Sequence, residues 1–357
     1  MAQVFNESFI DRVCAEFFLQ TPTRCWAVTQ GLINKTYVVE LLGERFIVQW
    51  VNSLFHPDIQ KDIEALTQHL KNKGLLTPEI KRSKSGDLYV PAALIHADIK
   101  TAPKQGVFRV LTFIEGTCVD ALTLPGQAYE AGALVGRFHR ALLDFDHLFV
   151  APSRVAHDTK QHMQLLMQVM NNTSAHHAFY ESIMPLGQAI IDEYRKLLPI
   201  SRNHTRVCHG DLKISNLMFN NETGQGICLL DLDTIAPLPL CLELGDAWRS
   251  WCNPQGEDQE NPCFDLALLE NAIRGYFSCA DFVTSEERAS LLLGVKTITL
   301  ELAARFCADI INDCYFGFNA KFGSRAQHNL IRARGQLSLF KSVQAQQNEI
   351  ERLLYLV

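Results

Sequence analysis

From Thr36 the chain reads TYVVELLGERFIVQWV, two runs of branched and aromatic residues about a Gly43-Glu44 turn. Val38 and Val39 on one arm and Phe46, Ile47 and Val48 on the other fit a pleated, half-buried surface, so the pattern predicts a hairpin in an antiparallel sheet. In HPDIQKDIEALTQHLKNKG the period changes. Ile59, Ile63, Leu66 and Leu70 recur at helical spacing, Pro57 suits a first turn and Gly74 a stop, which predicts one amphipathic helix against that sheet. LYVPAAL and GVFRVLTFIEG read as further strands. From about Leu124 the pattern is mainly helical, and QAYEAGALVGRFHRALLDF sets Gly and Ala where helices pack closely. The chain is therefore expected to be α+β, with an antiparallel-sheet domain over residues 1–115 and a mainly helical domain over 116–357. The polar, Pro-containing NPQGEDQENP at 253–262 is the expected mobile loop, and no internal repeat is visible.

Composition narrows the class. At 357 residues, with 47% hydrophobic and 20% charged residues, the chain is long enough for two cores and too apolar for general disorder. A net charge of -6 lacks the clustered Lys and Arg that a polyanion needs, so nucleic acid and anionic membrane are not expected partners. The first residues carry no basic leader before an unbroken apolar run, and no later run reaches about 18 apolar residues, so a cytoplasmic protein is expected. Eleven cysteines is an odd number without a Cys-x-x-Cys, and several lie in apolar runs, which favours reduced structural thiols over disulfides or zinc.

The chemistry concentrates in CHGDLKISNLMF, residues 208–219. Asp211 and Asn216 are five residues apart, and Asp231 follows across FNNETGQGICLL, whose flanks read as a tight hairpin. That order suits phosphoryl transfer: a carboxylate to orient and deprotonate a hydroxyl, then an amide and a second carboxylate to hold Mg²⁺ on nucleotide phosphates. Asp211 is then the base, with Asn216 and Asp231 metal ligands and Asp233 a further candidate. Each residue alone serves equally well as a loop residue bonding its own backbone; the ordered set carries the reading. Lys213, between base and metal ligand, is placed to stabilise charge on the moving phosphoryl group, and His209 is assigned to scaffolding.

HGDLKISN followed by LLDLD resembles the aminoglycoside and choline kinase superfamily, which implies a two-lobed protein-kinase-like fold with an antiparallel-sheet N-lobe and a mainly helical C-lobe. Over residues 31–337, GLINKTYVV, RFIVQWVN, FIEGT, DLDT, LGDAWR, RFCADIINDCYF and HNLIRARGQ look like the N-acetylhexosamine 1-kinases. That resemblance implies ATP-dependent phosphorylation of the anomeric hydroxyl of a small-molecule sugar. Other sugars, a choline-like amino alcohol, an aminoglycoside or a nucleotide-binding pseudokinase are the alternatives. Kinase-like enzymes usually place a Lys on the third strand, where FIVQWV has Gln49, as the sugar kinases do; an amide donates hydrogen bonds without charge. The phosphate-covering turn GLINKTY has one Gly, Gly31, so Asn34, Thr36 and backbone donors are expected to cover the phosphates. Asp62 and Glu64 compete for the helix position that usually pairs with the strand lysine. Adenine is expected against the hinge at Thr112, Phe113 and Glu115.

For the acceptor, Glu301, Arg305 and Asp309 lie four residues apart on one helix face. A self-satisfied carboxylate-Arg-carboxylate ladder explains that spacing; the resemblance implies instead that Arg305 and Asp309 bind sugar hydroxyls with Tyr315 beside them. Thr234 either bonds the sugar or caps the turn after DLD, and Asp246 is expected to anchor the catalytic loop through its backbone amides.

Overall fold

The computed structural model describes residues 8–18, 20–28, 33–41, 43–151 and 157–356. The chain forms two compact units, Met1–Glu115 with Asp144–Ser153, and Gly116–Leu143 with Arg154–Val357. Among the described residues no helix is long and apolar enough to cross a membrane.

In the first unit, α1 (Ser8–Phe18) precedes β1 (Arg24–Val28), β2 (Lys35–Leu41) and β3 (Glu44–Val51). Then come α2 (Ile59–Asn72), β4 (Ile80–Lys81), β5 (Val90–Pro91), α3 (Ala92–Asp98) and β6 (Val107–Thr112). The strands form one antiparallel sheet in the order β1-β2-β3-β6-β4, with β5 also paired to β6. The hairpin falls where the alternation puts it, Leu41 opposite Glu44 and Gly43 at φ 84°, a left-handed conformation that glycine adopts without strain. Phe9, Ile10, Val13, Cys14 and Phe17 make one apolar stripe along α1 and pack on Val39, Phe46, Val48, Phe108 and Val110 of the sheet. Helix α2 buries Ile59, Ile63, Leu66 and Leu70 as expected, and also Gln60 and Asp62. LYVPAAL is a correction to the strand expectation. Only Val90–Pro91 is strand; Pro91 then caps α3, whose Ala92 and Ile95 face the core at helical spacing.

In the second unit, β7 (Thr117–Cys118) leads to α4 (Pro125–Ala141), α5 (Thr159–Asn172) and α6 (Tyr180–Tyr194), then β8 (Arg206–Cys208), β9 (Leu217–Phe219), β10 (Gly226–Leu229) and β11 (Ala236–Leu238). Helices α7 (Leu240–Trp251), α8 (Leu266–Phe277), α9 (Ser285–Asn312), α10 (Arg325–Ala345) and α11 (Gln347–Tyr355) complete it. The strands form two small antiparallel sheets, β10-β9-β7 and β11-β8. Small residues set the helix spacing. A Cβ on Gly132 of α4 would stand 2.1 Å from the Ala272 carbonyl of α8, and one on Gly294 of α9 would stand 1.8 Å from the Cys241 carbonyl of α7. Helix α9, opened by a Thr284–Glu287 capping box, supplies Leu300, Ala303, Phe306, Cys307 and Ile310 to a core shared with α5, α6 and α10.

The stretch 253–262 is fastened rather than loose. Glu257 pairs with Arg249, Asp258 with His328 and Arg332, and Glu260 with Arg334. All eleven cysteines are free thiols, six of them buried.

Candidate active site

The loop that carries HGDLKISN is built from strand ends. β8 and β11 pair in register, Cys208 opposite Ala236, which closes the segment 209–235 into one loop with the β9–β10 hairpin inside it. At its start Gly210 lies at φ 82°, where a Cβ would come 2.4 Å from the Thr234 carbonyl, so this crossing needs glycine. Four further bonds fix the backbone. Glu243 of α7 accepts from the amides of His209 (2.8 Å) and Gly210 (2.9 Å). Ser250 Oγ accepts from the Ile214 amide, and the Trp251 indole donates to the Leu212 carbonyl. His209 is scaffold, with Nε2 2.7 Å from the Leu230 carbonyl.

On this frame Asp211 Oδ2 accepts from Lys213 Nζ (2.6 Å) and from Asn216 Nδ2 (3.0 Å). Burial works to raise the Asp211 pKa, but the Lys213 ammonium outweighs it and holds the carboxyl at about 2. Lys213 moves the opposite way: burial lowers its pKa, and the charges of Asp211, then Asp231 and Asp246, raise it overall. Asn216, on a short 3-10 turn (Ile214–Asn216), directs both Nδ2 bonds at Asp211, one to its backbone carbonyl at 2.8 Å. Its Oδ1 is thereby left as an oxygen donor.

The hairpin register, Leu217 opposite Leu229, and a Leu230 amide bond to the Asn216 carbonyl (2.8 Å) bring Asp231 beside Asn216. Asp231 sits at φ 62°, an uncommon backbone for a residue with a Cβ, at the head of a 3-10 turn containing Asp233. An amide oxygen and two carboxylates on adjoining turns fit a hard divalent cation such as Mg²⁺.

Thr234 donates its hydroxyl to the His209 carbonyl at 2.8 Å, so the structure engages it in the loop. The anchoring role expected of Asp246 belongs to Glu243, one helical turn earlier; Asp246 Oδ1 accepts from Arg249 instead. Glu243 is fully buried, and burial, which raises its pKa, is outweighed by His139 and the loop, so it stays low. His139, Cys208 and Glu243 bring ligand-type atoms within 4.8 Å of one another. Glu243 is occupied by the loop amides, His139 lies 3.0 Å from the Tyr276 hydroxyl, and burial pushes the Cys208 thiol well up, so it is protonated rather than a thiolate ligand.

The α9 residues separate. Glu301, buried, accepts from Thr159 Oγ1 (2.6 Å) and lies 3.2 Å from His157 Nδ1 and 3.8 Å from Arg305. Burial lowers the His157 pKa, but Glu301 raises it above its ordinary value overall. Glu301 itself is held at about 2, since His157 outweighs burial. Arg305 donates to the Tyr315 hydroxyl (3.1 Å) and lies over the Tyr315 and Phe316 rings. Asp309 does not complete a ladder. Its carboxylate accepts from the amides of Cys314, Tyr315 and Phe316 and from Asn329, shaping the turn that presents Tyr315.

In the first unit, Thr36 and Gln49 are opposite each other on β2 and β3, with Gln49 Nε2 3.0 Å from Thr36 Oγ1. Asn34 accepts from the Asn52 amide; Gly31 of the expected covering turn lies outside the described residues. Thr112 ends β6, tied to Glu79 through both its amide and its hydroxyl. Beyond it the Phe113 ring packs under Arg45, which also pairs with Glu115. Asp62 accepts from the Val150 and Ala151 amides and lies 2.8 Å from His147, while Glu64 pairs with Arg82. The α2 residue that reaches the strands is Gln60.

Sequence reasoning missed Glu243, Gln60, Arg109 and His157. An acid inside the apolar LCLEL and a lone cation in VFRVLTF were the available signals.

The fold is shared with solved phosphotransferases. An amicoumacin kinase in complex with AMP-PNP, Ca²⁺ and Ami superposes with a TM-score of 0.62 at 14% identity, covering 94% of this chain and 93% of that one. A microcompartment-associated aminopropanol kinase gives 0.61 at 15%, covering 96% and 98%. A choline/ethanolamine kinase family protein from Mesorhizobium loti gives 0.57 at 15%, covering 99% and 100%. The family described as phosphotransferase enzymes, of the aminoglycoside phosphotransferase type, matches residues 26–282, which span the 209–235 loop and both halves of its frame, and the chain belongs to that family.

Proposed function

We propose that the protein transfers the γ-phosphoryl group of ATP to the anomeric hydroxyl of an N-acetylhexosamine. The observation that carries the phosphoryl-transfer step is Asp211, ionised, half-buried and fixed on one oxygen by Lys213 and Asn216. In the proposed mechanism its other oxygen accepts the acceptor hydroxyl proton as the oxygen attacks phosphorus, and ADP leaves. Lys213 neutralises charge spreading over the moving phosphoryl oxygens. Asn216 Oδ1, Asp231 and Asp233 would hold Mg²⁺, which supplies charge neutralisation on the nucleotide phosphates. Gln49, Thr36 and Asn34 offer donors to the phosphates, and adenine meets the backbone at Thr112, Phe113 and Glu115.

The sugar assignment rests on the N-acetylhexosamine 1-kinase resemblance and draws support from one further observation: Arg305 beside Tyr315 suits hydroxyl groups and opposes a cationic acceptor.

The test is phosphorus NMR after incubation with ATP, Mg²⁺ and a mixed panel of sugars, amino alcohols and aminoglycosides. The expected product is a sugar phosphate split by its anomeric proton. Transfer to an amino alcohol alone would overturn the acceptor assignment. Asp211→Asn should abolish turnover while ADP still binds; equal turnover would remove Asp211 as the base.

A further inference from the structure

Gln49 leaves the nucleotide-binding unit without the strand lysine, yet a cation sits one strand away. Arg109 of β6 is paired in register with Gln49 of β3, and their side chains meet on one face of the sheet. The guanidinium donates twice to Gln49 Oε1, from Nε at 2.9 Å and from a terminal nitrogen at 2.5 Å. Its other terminal nitrogen donates to Gln60 Oε1 of α2 at 2.9 Å. Arg109 is 2% exposed and Gln60 fully buried, while Gln49 is half-buried, so water screens these bonds weakly.

A guanidinium has donors only, so the amide of Gln49 can meet it in one orientation, oxygen inward. Its NH₂ must then face the other way, where it donates to Thr36 Oγ1 and keeps a second hydrogen to give. Gln60, meanwhile, has Nε2 with no partner among the described residues, and its Oε1 accepts from Arg109. Gln49 and Gln60 stand on the strand and the helix that usually carry a Lys–Glu ion pair, and Arg109 of β6 bridges them.

We infer that Arg109 is the positioning residue of the nucleotide phosphates: it locks Gln49 with its donor end presented beside Thr36, polarises that amide, and supplies from β6 the positive charge that β3 lacks. The inference rests on the proposed nucleotide-dependent function, and its test is read in binding, without acceptor. Calorimetric titration with ADP and with adenosine, each with Mg²⁺, separates phosphate recognition from base recognition. Arg109→Met should weaken ADP about tenfold and leave adenosine unchanged, since only the phosphates carry charge. Adding Gln49→Lys to that variant should recover ADP affinity, because the cation returns to β3; a purely structural role for Arg109 predicts no such rescue.

ADP affinity of Arg109→Met within about twofold of the parent would overturn the inference. Equal loss of ADP and adenosine affinity without rescue would do the same. If Arg109→Met fails to fold, Gln49→Met, which leaves Arg109 bonded to Gln60, must weaken ADP severalfold or the inference fails. A parent protein that binds no ADP at all would sink the inference together with the proposed function, whereas intact ADP binding with an unaffected Arg109→Met sinks the inference alone.

Discussion

Substituting Glu243 by Gln tests whether α7 holds the catalytic loop in place. The parent carboxylate gives one oxygen to the His209 amide and the other to the Gly210 amide, at 2.8 and 2.9 Å, from a position with no solvent exposure. A carboxamide of the same shape keeps one acceptor oxygen and turns an NH₂ toward the remaining amide. One buried backbone donor then loses its partner, at about 1–3 kcal/mol, and a charge-assisted bond becomes neutral, at about 1 kcal/mol. The sum, about 2–4 kcal/mol, corresponds to a fall in unfolding temperature on the order of 3–5 °C for a protein of this size. The tight turn at Gly210 is the part released, and Asp211 follows it in the chain. A displacement of about 1 Å at the base lowers turnover about 100-fold. Thermal unfolding by circular dichroism and steady-state ADP release with ATP, Mg²⁺ and an N-acetylhexosamine acceptor measure the two effects, with ADP binding as the control expected to survive. A Glu243→Gln protein that melts with the parent and turns over at the parental rate would refute the anchoring argument.

Lys213→Ala should lower turnover by about 10²–10³ and, by removing the ammonium that holds Asp211 near 2, move the acid limb of the pH–rate profile to higher pH; an unmoved limb would separate Lys213 from the base. His157 has its folded pKa raised by Glu301, so its contribution to stability is fully present below its unfolded value near 6.5 and is lost as pH rises through the higher folded value. Unfolding temperature measured from pH 5 to 9 should therefore fall across that window in the parent and fall less in His157→Gln. Equal slopes would exclude the His157–Glu301 pair as the source.

The polar residues of CHGDLKISNLMF were legible because they lie within nine positions of one another, and a loop that short leaves them few ways to avoid meeting. The helices α2, α4 and α9 were legible for a similar reason, since periodicity is a local property. What failed had partners far away in the chain. Glu243 meets residues more than thirty positions earlier, Arg109 meets Gln49 sixty positions earlier, and Glu301 meets His157 from 144 positions away. The loop 253–262 looked mobile because its acids were read without the Arg and His residues of α7 and α10 that hold them. LYVPAAL looked like strand because its first residues do enter the sheet, and only the packing of Ala92 and Ile95 shows where the helix takes over.

By itself, then, the sequence determined the α+β division, the hairpin and the grouping of Asp211, Lys213 and Asn216 in one short loop, because each is written in neighbouring residues. Tertiary structure alone decided which acid holds the loop, that Asp309 shapes a turn, and that Arg109 of β6 bonds Gln49 of β3. A side chain's role there depends on which backbone amides and which charges face it, and those come from strands and helices brought together only by folding.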